Sequence, residues 1–337
     1  MKRASLPLPR REFISLLGGA AAAWPLATRA QQAERVRRIA ILMPFLPTNA
    51  EAQARVRAFR EELRKRGWAA EVNAQFDERW TGDNMDLIRA AAANLVELKP
   101  DVIVAQGARV VPILMELTRS IPIVTPSGTD PVERGYAESL ARPGRNVTGF
   151  ATIGELSVVG KMLQTLKEIA PNVAHVSMFY NPDNPAGPLF VRSLESAAGP
   201  LGVKPTIAHI RNVEDIERAV AAAAAQPNGG VLVPPELTII GFMEQTIATI
   251  ARHRLPAIYF ERVFVTTGGL VSYGTDRVEQ YRGAASYVDR VLRGEKAGDL
   301  PFQQPTKYEL VINLATAKTL GLTIPPTLLF TADEVIE

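Results

Sequence analysis

The chain has 337 residues, enough for two domains that each bury a core, and its 47% hydrophobic and 22% charged content excludes a multi-span membrane protein or a disordered chain. It has no cysteine, which excludes disulfides, thiolate metal centres and cysteine nucleophiles. The formal charge of +3 points to nucleic acid only until it is located: Lys2, Arg3, Arg10, Arg11 and Arg29 against Glu12 give residues 1–30 a net +4, which leaves residues 31–337 at −1 with no long basic run.

The first segment accounts for that charge. From Phe13 to Ala27 it is apolar but rich in Gly and Ala, is broken by Pro25, and is shorter than the roughly 20 residues a bilayer span needs. A charged start, a short apolar stretch and small residues at Thr28 and Ala30 are the layout of a signal peptide over residues 1–30, cleaved after Ala30. Arg10–Arg11–Glu12–Phe13 resembles a twin-arginine export signal.

Past about residue 33 the pattern alternates strand and helix. "RRIAILMP" (37–44) is a strand, and Ala52, Val56, Phe59 and Leu63 then recur on one helical face closed by Gly67. "EVNAQF" (71–76) predicts a second strand, Ile88, Ala92 and Leu95 a second helix, and "KPDVIVAQG" a third strand. A short helix near 108–118 leads to a strand and polar loop in "IPIVTPSGTDP" (121–131). The segment 142–157, with turn residues on both sides of a short strand, reads as a crossing to a second unit. That unit repeats the grammar: it starts with a strand and loop in "AHVSMFYNPDNP" (174–185) and goes on through "VKPTIAHI", "QPNGGVLVPPE" and "RLPAIYFE", with helices near 186–199 and 213–225. "GGLVSYGTD" (268–276) has the character of another crossing, and a helix carrying Val278, Tyr281, Ala285, Val288 and Leu292 on one face returns to the first unit. The expected fold is α/β: two doubly wound parallel-sheet lobes joined by a multi-crossing hinge, the first lobe 33–148 plus 276–337 and the second 149–275.

Few chemical motifs are present. No G-x-G-x-x-G follows the first strand, and "GELSVVGKM" (154–162) has the wrong glycine spacing for a phosphate loop and Met162 where a hydroxyl residue would bind magnesium, so it reads as a helix start. His175, His209 and His253 are scattered, and Ser127 has no G-x-S-x-G context. Asp130 suits an acid/base group or a turn cap. Asn146–Val147–Thr148 matches a glycosylation sequon but is better read as backbone pairing at the crossing.

The informative feature is position. In open parallel sheets ligands sit beyond the carboxyl ends of the strands. Those loops are 44–48, 106–109 and 127–131 in the first lobe and 180–185, 234–236 and 259–262 in the second, with Phe45, Tyr180, Tyr259 and Phe260 among them. Facing each other across a hinge, they would form a cleft with aromatic walls and backbone donors.

"SGTDPVERGYAESLARPGRNVTGF", "YNPDNP", "RHRLPAIY" and the long block from "GGLVSYGTD" through "PTKYELVINLATAKTLGLTIPPTLLF" resemble the ABC transporter substrate-binding family that includes tryptophan-binding (TrpX-like) proteins, over essentially the whole chain. The resemblance implies a LacI-like or ribose-binding-protein-like fold, no catalysis and no cofactor or metal. It also implies a periplasmic monomer that closes on a small ligand, such as an aromatic amino acid or related carboxylate, and docks on an ABC permease in the inner membrane. Matched residue by residue, the ligand loops are Gln106, Gly107 and Ala108, Ser127, Gly128, Thr129 and Asp130, then Asn181 to Asn184, Pro235, Glu236 and Tyr259. Many similar members carry a small hydroxyl residue where Gln106 stands. In this reading backbone N–H groups with Ser127 and Thr129 hold a carboxylate, and Phe45 and Tyr259 flank the apolar body. Two other readings stand beside it: an exported α/β enzyme with Asp130 or Glu236 as acid/base, and a ligand-sensing partner of a membrane receptor.

Overall fold

A parallel strand covered by helices on both faces has no solvent side, so it appears in sequence as an unbroken apolar run. The first strand, β1 (Arg37–Met43), is of this kind: Ile39 to Met43 are all buried. The computed structural model describes residues 35–107, 109–128, 130–151, 155–305 and 307–337. The 1–30 segment with its cleavage point at Ala30, and the loop residues Ala108 and Thr129, lie outside the described residues.

The first lobe runs β1, α1 (Ala50–Lys65), β2 (Ala74–Trp80), α2 (Met85–Glu97), β3 (Val102–Ala105), α3 (Val110–Leu117), β4 (Ile123–Gly128) and β5 (Val147–Ala151). Its sheet is entirely parallel, in the order β2-β1-β3-β4-β5. The apolar face foreseen for α1 is buried through Ala52, Val56, Phe59 and Leu63, and the Asn49 side chain caps it by accepting from the Ala52 N–H at 2.8 Å. The second strand starts later than the apolar pattern suggests, because residues 69–73 turn first, with the Val72 and Asn73 N–H groups donating to Ala69 O.

The second lobe contains α4 (Glu155–Ile169), β6 (His175–Tyr180), α5 (Gly187–Ala198), β7 (Lys204–His209), α6 (Val213–Ala224) and β8 (Gly229–Val233). It continues through α7 (Leu237–Gly241), α8 (Met243–Arg252), β9 (Ala257–Tyr259), α9 (Arg262–Thr266) and β10 (Val271–Thr275). The chain then crosses back, and α10 (Arg277–Leu292) packs on α1 and β4 of the first lobe, tied there by Trp68 Nε1 donating to Asp289 at 2.8 Å.

The last part departs from the expected division. Helix α10 belongs to the first lobe, but β11 (Tyr308–Asn313), α11 (Leu314–Thr319), α12 (Pro326–Thr331) and β12 (Glu334–Ile336) do not. The second sheet has the order β12-β11-β10-β9-β8-β6-β7, with β11 antiparallel to β10 in the register Val271↔Ile312. Residues 308–336 are therefore part of the second lobe, because the open edge of β10 supplies the backbone partners that an apolar strand must find. The third crossing runs beside β5, where Gln303 N–H donates to Gly149 O at 2.9 Å and Ala151 N–H to Gln303 O at 2.8 Å. The first lobe's own sheet extends to Ala151, past the expected limit at 148.

The N-V-T-G block acts through the backbone at this junction. Asn146 Nδ2 donates to Thr118 O at 3.2 Å and Ile121 O at 2.8 Å, and Thr148 Oγ1 donates to Leu300 O at 2.7 Å. Gly149 has φ +133° and a Cβ built on it would stand 2.1 Å from Thr125 O. Gly149→Ala is therefore expected to cost about 3 kcal/mol or more of unfolding free energy, measured by urea denaturation, since it combines a forbidden φ with a backbone clash.

Candidate functional site

The carboxyl ends of both sheets face one another across a cleft that holds about 750 Å³ of empty space, part of it open to solvent. The first lobe contributes Pro44 after β1, Asp83 after β2, Gln106 and Gly107 after β3, Ser127 and Gly128 at the end of β4, and Arg109 and Arg277 at the starts of α3 and α10. The second contributes Asn184, Pro235, Glu236, Phe260 and Glu261, with Phe190, Leu237 and Ile240 as apolar surface; Ile88 and Val110 supply the same on the first lobe.

The second-lobe wall centres on Glu236, whose side chain is almost fully buried at 1% exposure. Its carboxylate accepts from Asn184 Nδ2 at 2.8 Å, Asn181 N–H at 3.2 Å and Thr238 N–H at 3.1 Å, the last as the cap of α7. All three donors are neutral. Burial pushes the Glu236 carboxyl above the ordinary carboxylate range, and these hydrogen bonds together with the more distant Arg109 charge offset the shift only in part.

The first-lobe wall is positive. Glu261, from the second lobe, accepts from Arg55 Nη2 at 2.6 Å and lies 3.4 Å from Arg277 Nε, with all three groups buried. Two guanidinium groups share one carboxylate, and Nε and Nη1 of Arg55 have no hydrogen-bond partner among the described residues. Arg277 Nη1 also donates to Ser127 Oγ at 2.6 Å, which brings the positive charge to the cleft surface. Beside it, the Tyr281 hydroxyl donates to Gln106 Oε1 at 2.8 Å.

The lobes also meet in neutral and paired groups. Thr238 Oγ1 donates to Asp83 Oδ2 at 3.1 Å, Asp83 is ion-paired with Arg109, and Arg134 Nη2 donates to Pro185 O at 2.6 Å.

Of the residues marked from sequence, Gln106, Gly107, Ser127, Gly128, Asn184, Pro235 and Glu236 line this cleft. Asn181 stands behind it, holding Thr238 Oγ1 at 2.9 Å and Glu236 through its N–H. Asp130 is not at the cleft: its Oδ1 accepts from the Val132 and Glu133 N–H groups at 2.9 and 3.1 Å, so it is a turn cap. Phe45 and Tyr259 are also misplaced by the sequence reading. Successive residues of an extended chain point to opposite sides, so Pro44 and Phe260 face the cleft while Phe45 sits under the Arg55 guanidinium and Tyr259 stacks on Phe264 at 4.8 Å inside the second lobe. The aromatic wall is Phe190 and Phe260 instead. Arg277 was missed, although it directly follows the crossing segment 268–276, and a residue at a hinge exit was the available signal.

A family profile described as "ABC transporter substrate binding protein" matches residues 40–336. A tyrosine-binding protein of Clostridioides difficile (strain R20291) is 26% identical over 266 residues, which is 79% of this chain and 76% of that protein. The fold is similar to the crystal structure of a conserved domain protein from Vibrio cholerae O1 biovar El Tor, with a TM-score of 0.82, 26% identity, and coverage of 89% of this chain and 100% of that one. It is similar too to an ABC domain in complex with L-Trp from Streptococcus pneumoniae, with a TM-score of 0.79, 21% identity, and coverage of 88% and 100%.

Two outcomes follow from these charges. Glu261→Ala leaves two buried guanidinium groups without their carboxylate and is expected to lower the unfolding free energy by about 3–5 kcal/mol in chemical denaturation. For Glu236 the folded carboxyl lies above its unfolded value of 4.5, so the folded state binds more protons and the ligand-free protein loses stability as pH rises through that window. In Glu236→Gln this part of the pH slope should vanish, as read from denaturation midpoints between pH 4 and 8; an unchanged slope would place the titration elsewhere.

Proposed function

The chain belongs to the ABC transporter substrate-binding protein family, and from that premise we propose that its ligand is an amino acid with an aromatic or similarly large apolar side chain. It is the solute-binding component of an ABC transporter, a protein that captures rather than converts its solute, which removes the enzyme reading for Asp130 and Glu236. The observation that carries the ligand proposal is the separation of charge across the cleft. Glu236 on the second lobe is a buried carboxylate whose hydrogen-bond partners among the described residues are all neutral, and the Arg277–Ser127 wall of the first lobe is positive. A zwitterion laid between them gives the carboxylate its missing cation and the arginines an additional anion.

The space between the poles is apolar, with Phe190 and Phe260 among its walls, and suits a ring or a long hydrocarbon. The names of two similar proteins point the same way, one tyrosine-binding and one complexed with L-Trp. Because the ligand would touch both lobes, it would favour their closed arrangement, and the closed complex would dock on a permease in the inner membrane. The working location is then the periplasm, the 1–30 segment serving as a twin-arginine-type signal removed near Ala30 and the mature protein acting as a monomer.

A thermal-shift panel of the standard amino acids and their des-amino acids tests this. At a hundredfold excess over Kd a ligand contributes about 2.7 kcal/mol, which at about 2 °C per kcal/mol for a chain of this size raises Tm by about 5 °C. Aromatic L-amino acids should give that shift, and Glu236→Gln should lose it for the amino acids while keeping any response to the des-amino acids. No shift with any zwitterion would sink the proposal.

A further inference from the structure

Two residues of the first-lobe wall are held from behind by one helix. Arg277 and Tyr281 are four residues apart in α10, so they lie on the same face one turn from each other. Arg277 Nη1 donates to Ser127 Oγ at 2.6 Å, and the Tyr281 hydroxyl donates to Gln106 Oε1 at 2.8 Å. Ser127 and Gln106 sit at the carboxyl ends of the adjacent strands β4 and β3, and both line the cleft.

Each contact decides a polarity that the residue type leaves open. A serine hydroxyl can donate or accept, but an arginine only donates, so Ser127 Oγ is the acceptor there and its proton is turned away from the guanidinium. A glutamine carboxamide can present either its oxygen or its NH2. The other neighbour of the Tyr281 hydroxyl is Met43 Sδ at 3.3 Å, a weak acceptor, so the phenolic proton goes to the Gln106 oxygen. The reverse orientation of the amide would leave that proton against sulfur in a site where Tyr281 is 1% exposed. Burial also drives the Tyr281 hydroxyl above its usual range, so it remains a donor. Gln106 is left with its NH2 toward the cleft, and no described residue accepts from it.

We infer that Tyr281 is a positioning residue that turns the Gln106 NH2 toward the cleft beside the Arg277–Ser127 pair, so that this part of the first-lobe wall favours a carboxylate over a carboxamide. A carboxylate accepts at either oxygen from the Gln106 NH2 and the Ser127 hydroxyl, whereas a carboxamide must commit its single oxygen to Gln106 and leave its N–H to the one lone pair Ser127 keeps beside Arg277, or turn that N–H against the Gln106 donor. The inference rests on the amino-acid reading above for the ligand's identity, and on the hydrogen bonds alone for the orientation of Gln106. It also gives a direction to the bound molecule, with its carboxylate on the first lobe and its ammonium on Glu236.

The test uses the full mature chain and Tyr281→Phe, which keeps the ring and removes the hydroxyl. Calorimetry on the best-binding amino acid and its carboxamide should show the ratio of Kd for amide over acid falling about three- to tenfold in the variant, the worth of one neutral hydrogen-bond preference. Gln106→Glu, which offers only acceptors, should weaken the acid more than the amide. Equal weakening of both ligands in Tyr281→Phe would mean a packing role and overturn the inference. A second readout needs no ligand: the Gln106 13Cδ resonance, assigned by its loss in Gln106→Ser, should move upfield in Tyr281→Phe as the carbonyl loses its donor, and an unmoved resonance overturns the inference. If no amino acid binds the wild type, the ligand reading falls and the Gln106 resonance alone decides the positioning role.

Discussion

Glu261 leaves the end of a second-lobe strand and is met by two arginines of the other lobe, Arg55 from α1 and Arg277 from the start of α10. Taking three charges out of water is costly, and the cost is offset only where the geometry is close and the hydrogen bonds are made. The cluster therefore permits a narrow range of arrangements between two lobes that otherwise fold around separate sheets. Helices α1 and α10 lie side by side, so both guanidinium groups arrive from one packed layer. The same α10 turn carries the groups behind Ser127 and Gln106, and the first-lobe wall of the cleft inherits its position from this junction.

The opposite wall is built differently. Glu236 caps a short helix and is fixed by neutral donors from two loops, which orient the carboxylate without neutralising it. Burial raises its pKa, the neutral hydrogen bonds and the Arg109 charge offset only part of the rise, and a cationic group of a ligand placed against it would lower it further. The cleft thus has a positive wall tied to the interlobe cluster, a negative wall tied to the second-lobe loops, and an apolar space between. A ligand laid between the poles, as proposed, would draw on both lobes, which would couple its recognition to their closure.

Much of this was legible before the structure. Burial on both faces makes parallel strands apolar throughout, so β1, β3, β6 and β8 stand out, and the helical faces of Ala52, Val56, Phe59 and Leu63 or of Val278, Tyr281, Ala285 and Val288 follow from spacing. Knowing the strands locates the loops that end them, which is how Gln106, Ser127, Asn184 and Glu236 could be picked out. Phe45 and Tyr259 went astray because a loop's position does not say which of two successive side chains faces inward. Tyr281 could be read as an apolar-face residue but not as the partner of Gln106, since the contact joins positions 175 residues apart.

Local periodicity and order along the chain were sufficient for the α/β class, the repeated units, the return of α10 and the strand ends at which a cleft forms. These depend on interactions within a few residues and on the few ways such units can stack. The lobe to which β11 and β12 belong, the side each aromatic faces and the pairing of Glu261 with Arg55 and Arg277 were decided only in three dimensions. An open sheet edge will accept any strand of the right length, and a buried charge takes whichever partner the packing delivers, so neither choice leaves a mark on the neighbouring sequence.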